Sequence, residues 1–266
     1  MAWQVFRNPV SLFVGGVAAV ILELAEPRVR AGVWDHSNFR TDPVDRLRRT
    51  GLAAMVTVYA ARSFAEDMIA GVRRIHQKIE GRTETGERYH ANDPELLDWV
   101  QATASFGFLQ AYCAYVRPLG QAERDSFYAE GLAAAELYGA VGAPWCEAAM
   151  EAQFEAMRPR LERSDVLVDF LRIMRQAPIL PAPLRPLQPL LVRAAIAIVP
   201  SWFRNRVGLG GSAPERPLVR LLGAAAGKLR LDDSPPVQAS IRLGLAPDHL
   251  WKAAATSVSM RSSSPA

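Results

Sequence analysis

His76 is the side chain with the most chemistry within reach. In the segment Val72-Arg73-Arg74-Ile75-His76-Gln77-Lys78-Ile79-Glu80-Gly81 it follows Ala65, Ile69 and Val72 at the i, i+4, i+7, i+11 spacing, so a helix over residues 55–80 continues an apolar stripe with an imidazole. Two uses of such a histidine stand side by side. It can be a core residue whose ring nitrogens are satisfied by neighbours, or a neutral ligand to a buried metal or haem iron. Arg73 lies one turn earlier and could partner an anion held against that face. Upstream, Arg46, Arg49 and Thr50 share one face of a helix over residues 44–61 by the i, i+3, i+4 rule. Most such groups are solvated basic faces, but here Gly51-Leu52-Ala53-Ala54-Met55 reads as a buried run and turns this edge inward.

The elements that must position these residues read as helices. The chain has 266 residues, 50% hydrophobic and 22% charged, enough for one large core, and no run alternates with period two for more than a few residues, so the expected class is all-α. A charge of +4 comes from arginines spread without a dense block, which does not support nucleic-acid binding. Cys113 and Cys146 have no metal-ligand spacing around them and read as small core residues in a reducing, cytoplasmic setting, with membrane association left open. Residues 9–24 carry no charge except Glu23, but fall short of the roughly 20 residues that span a bilayer. They predict a buried core helix, in which Gly15-Gly16 permits close approach of a second backbone or a flat ligand.

Pro27 ends that helix, and residues 28–43 read as a turn-rich connection. The span 44–80 is either one bent helix or two with a break near 61–64. A turn at 81–86 leads to a loop histidine, His90, and helices follow over 94–116, 121–138, 146–157 and 164–174. Five prolines make residues 177–189 a stiff extended connector. Residues 190–207 are either a core helix with an aromatic, basic cap or a peripheral membrane contact. One more helix, 216–228, completes a domain over 1–230; residues 231–266 form an extension, with a disordered serine-rich end from 257.

Four marks occur in order: Asp35-His36-Ser37-x-Phe39 with Asp42-Pro43; Arg46-x-x-Arg49-Thr50; Val72-Arg73-x-Ile75-His76 with Gly81; and Tyr89-x-Ala91-x-Asp93-Pro94-x-Leu96-Leu97-x-Trp99-Val100. Together they resemble the helical haem-dependent oxygenase family that includes the latex-clearing rubber oxygenases and the membrane-bound oxygenase of the mycophenolic acid pathway, over roughly residues 9–210. The resemblance implies a globin-related helical bundle enclosing one haem b, with His76 as the iron ligand and with Val72, Arg73 and Gln101 around the cofactor. It implies Arg46, Arg49 and Thr50 at the open face of the haem, a lipophilic, isoprenoid-like substrate, and dioxygen-dependent cleavage of a carbon–carbon double bond.

Two positions depart from the family pattern. Gln101 stands where many members have His after Trp-Val, and Glu26 stands where many have His before proline. Glu26 is also a candidate for the carboxylate base of the reaction. If these departures remove the oxygenase machinery, the resemblance implies instead a haem protein with a peroxide, redox or sensing task. A cofactor-free helical binding protein is the reading from another class, expected if His76 is merely packed. Oligomeric state cannot be read from the sequence.

Overall fold

A helix that is apolar on nearly every face has to run through the middle of its domain, and residues 9–23 do so. The computed structural model describes residues 1–210 and 215–252. After a short α1 (Ala2–Val5), α2 (Pro9–Glu23) starts at Asn8, whose Oδ1 accepts from the N–H groups of Val10 (3.0 Å) and Ser11 (3.2 Å), with Pro9 at the first position where no N–H is needed. Ile21 and Leu22 are fully buried, each stabilising the fold by about 2 kcal/mol.

Pro27 ends α2 as expected, but it also opens α3 (Pro27–Asp35), so residues 28–43 are not simply a connection. The reason lies one residue earlier: the Glu26 carboxylate accepts from Val29 N–H (2.8 Å) and caps the new helix. The span 44–80 is two helices. α4 (Pro43–Tyr59), capped by Asp42, ends at Ala60, and α5 (Arg62–His76) follows, stopping at His76 instead of running to 80. In place of a plain turn, β1 (Glu80–Arg82) and β2 (Arg88–His90) form a small antiparallel hairpin with Gly81 opposite Tyr89. Gly81 is required there, since a Cβ would stand 2.7 Å from the Tyr89 hydroxyl oxygen.

Asp93 then caps α6 (Pro94–Tyr115), whose long buried face crosses α2. The two backbones meet at Gly15 and Gly107; a Cβ on Gly15 would lie 2.7 Å from Phe108 Cα. Around this crossing lie α7 (Gln121–Tyr138), α8 (Glu147–Met157), α9 (Asp165–Gln176), α10 (Gln188–Ile198), α11 (Ser201–Val207) and α12 (Arg216–Gly227). Residues 177–189 are not extended throughout, because Ala182–Leu187 forms a 3₁₀ turn. Buried Gln188 pins it, donating from Nε2 to the carbonyls of Met174 (2.8 Å) and Ala177 (2.7 Å). The apolar side chains of residues 190–207 mostly turn inward, with Val192 and Phe203 fully buried.

Beyond α12 a further helix that the sequence reading did not anticipate, α13 (Pro235–Arg242), packs on α4. Nearby, Arg7 lies over the Trp251 ring at 4.7 Å and Gln4 Nε2 donates to Leu250 O (2.9 Å), so residues up to 252 close against the N-terminus. The serine-rich end from 257 lies outside the described residues. No single described helix is long and apolar enough to cross a membrane. The protein is all-α apart from the hairpin.

Candidate functional site

Much of α2 sits in the core, while Phe13, Gly16, Val20 and Glu23 keep some accessible surface and line up on one side of it. On α6 the same holds for Val100, Ala104 and Phe108, and the Phe108 ring approaches Gly16. These strips share one partly accessible, largely apolar face between α2 and α6, and we refer to that face as the recess. Glu23 keeps some accessible surface at the C-terminal end of the α2 strip. From α4, Arg46 lies close enough to be felt by both Glu23 and the His76 of α5.

Electrostatics link the three. Burial pushes the Glu23 carboxyl from 4.5 up to about 7, against the pull of the Arg46 charge and a hydrogen bond from Thr103 Oγ1 (3.4 Å). Burial lowers the proton affinity of His76, and the Arg46 charge lowers it further, while the neighbouring Asn92 side chain opposes this. His76 is therefore a neutral imidazole at pH 7. Arg46, itself pushed down by burial, stays charged in the physiological range. The set is one fixed cation, one neutral imidazole and one carboxyl able to exchange a proton near neutrality.

The residues expected from the sequence are distributed unevenly around this recess. Arg46 and His76 belong to it, and half-buried Val72 lies one turn before His76 on the same side of α5. Arg49 is exposed and engaged elsewhere, with Asp45 (2.9 Å) and the Asn38 Oδ1 (2.8 Å). Thr50 is exposed and donates to the carbonyl of Arg46 (2.9 Å). Arg73 is exposed at the rim, where Nη1 reaches Leu137 O of α7 (3.5 Å). Half-buried Gln101 donates to Ser105 Oγ (3.3 Å) and lies against Gly131 of α7. Glu26 is fully buried among Arg28 (2.8 Å), Arg160 (3.4 Å) and the start of α3. The carboxylate that faces Arg46 is Glu23. Sequence reasoning did not single it out, although a lone acid in an apolar helix was the available signal. It also passed over Thr103 and Asn92.

The family described as the ER-bound oxygenase mpaB/B′/rubber oxygenase, catalytic domain, matches residues 3–228. The chain belongs to this family. As a member of the mpaB/rubber oxygenase family it is an enzyme, an oxygenase using dioxygen and a small-molecule substrate. Within the chain, the match takes in all of α2 to α12 and with them Glu23, Arg46 and His76. No curated protein and no solved structure matches the chain.

Proposed function

We propose that this oxygenase holds one haem b through His76 and uses the recess to oxidise a lipophilic, isoprenoid-like substrate by cleaving a carbon–carbon double bond to carbonyl products. The observation that carries the reading is the coupling of neutral His76, charged Arg46 and near-neutral Glu23 along one half-accessible apolar strip. The chemistry of the donors fits the cofactor. Among the described residues no three His, Cys, Asp or Glu side chains group as metal ligands, so a single neutral imidazole suits a metal that brings its other ligands with it. His76 Nδ1 is buried with no aligned hydrogen-bond partner among the described residues, so the packing around it does not claim the imidazole, and Nε2 would be the nitrogen such a metal takes. Arg73 at the rim supplies donors for a carboxylate at the cofactor's edge.

When bound, haem supplies the binding and activation of dioxygen. The protein's own groups do the rest. Arg46 steadies negative charge as it develops beside the apolar strip. Glu23 takes a proton from the substrate and returns it, and its position near pH 7 makes both directions accessible. Phe13, Val20, Val100, Ala104 and Phe108 give an apolar chain its contact surface.

Protein purified from haem-replete cells shows a Soret band, and His76→Ala loses it or binds added haem far more weakly. A colourless protein that also refuses added haem overturns the reading. With a polyisoprenoid supplied, oxygen uptake is matched by aldehyde and ketone ends; uptake without new carbonyls removes the double-bond cleavage.

A further inference from the structure

The hairpin has a second consequence at the recess. Ala91 N–H donates to the carbonyl of Ile79 (2.9 Å), which pins the strand exit against the end of α5 and brings Asn92 beside His76. Asn92 is then held from two sides. Its backbone N–H donates to His90 Nδ1 (3.1 Å), and its side-chain nitrogen donates to the carbonyl of Arg73 (3.1 Å). A carbonyl only accepts, so this bond fixes which end of the amide is nitrogen. The other end, Oδ1, is buried and has no aligned partner, and the same is true of His76 Nδ1. One of these atoms can only accept and the other can carry a proton. No aligned hydrogen bond joins the two side chains, which lie side by side at the end of α5.

We propose that Asn92 is the positioning residue of His76: its Oδ1 takes the Nδ1 proton, which sets the tautomer and ring orientation and leaves the lone pair on Nε2. The role of that lone pair rests on the haem reading above; the tautomer does not. The chemical class of the acceptor also matters. A carboxylate at this place draws the proton and makes imidazole a stronger electron donor, which favours breaking the oxygen–oxygen bond of a peroxide. A neutral amide leaves imidazole a modest donor, which suits binding of intact dioxygen. With haem bound, Asn92 would favour oxygenase chemistry over peroxide chemistry.

Long-range proton–nitrogen NMR correlation on full-length, haem-free protein with ¹⁵N-labelled histidine reads the tautomer directly. Wild type shows His76 protonated at Nδ1 and bare at Nε2; an Nε2–H form overturns the proposal. Asn92→Leu gives a tautomer mixture, and Asn92→Asp, which restores an acceptor, returns the ring to Nδ1–H. Should the leucine variant fail to fold, wild type and Asn92→Asp still decide the matter. In haem-loaded ferrous protein, the iron–histidine stretching frequency rises in Asn92→Asp; a frequency equal to wild type overturns the proposal. A protein that takes up no haem sinks the haem reading, while the tautomer still settles the part of Asn92.

Discussion

Replacing Glu23 by Gln removes the charge and keeps the shape, so it isolates what burial does to this carboxyl. The group titrates near 4.5 when unfolded and near 7 in the folded protein, with desolvation as the main cause. Between those values the folded state binds the extra proton. Wild-type stability is therefore fully present below about pH 4.5 and falls as pH rises to about 7. At 1.36 kcal/mol per pH unit the loss is about 3 kcal/mol, an upper figure because water reaching the recess screens part of it. Glu23→Gln does not titrate. Whatever the variant's stability at low pH, the gap between it and wild type moves in the variant's favour by about 3 kcal/mol between pH 4.5 and 8. Urea unfolding of both haem-free proteins across that range measures it. Parallel stability curves would refute the argument and place the carboxyl in contact with bulk water.

Other outcomes follow from the same geometry. Arg46→Gln takes a positive charge from between two titrating groups, so the pKa of His76 rises and that of Glu23 rises further, both readable by NMR titration. Glu26→Ala leaves the buried Arg28 without one of its two closest carboxylates and uncaps α3, for a loss of about 3 kcal/mol in denaturant unfolding; a change under about 1 kcal/mol would show the network to be dispensable. Gly15→Ala forces the α2–α6 crossing apart and lowers stability by about 2 kcal/mol. Its neighbour Gly16→Ala meets only the Phe108 ring, at 3.9 Å, and gains about 0.5 kcal/mol or more from helix propensity. Thermal unfolding of the two variants, run together, gives opposite signs.

Long helices were legible from sequence: residues 94–116, with an aspartate cap and an N1 proline, match α6 to one residue, and 121–138 match α7. What was lost had weak or double-valued signals. Glu26-Pro27 reads as a stop, yet a glutamate cap makes it a start as well. The hairpin strands have three residues each, too few to show alternation. The cap-and-proline signal Ser234-Pro235 also preceded a helix, α13, too short to show a periodic face. At the site, spacing put His76 on the inner side of its helix, but spacing is silent on which acid lies opposite. Glu23 and Glu26 are three residues apart and differ in fate because α2 ends between them, one closing the recess and the other serving α3. Asn92 was hidden for a related reason: its partner lies across a hairpin that sequence did not disclose.

The glycine crossing of α2 and α6 bears on how this enzyme can change its substrate. The two helices touch backbone to backbone along one line, and three residues that shape the recess, Gly16, Val20 and Ala104, stand on adjoining faces off that line. Side chains there can be enlarged or trimmed while the helices keep their separation. The contour of this face and the scaffold geometry are thereby decoupled, and the surface offered to a small-molecule substrate is free to drift on an unchanged frame.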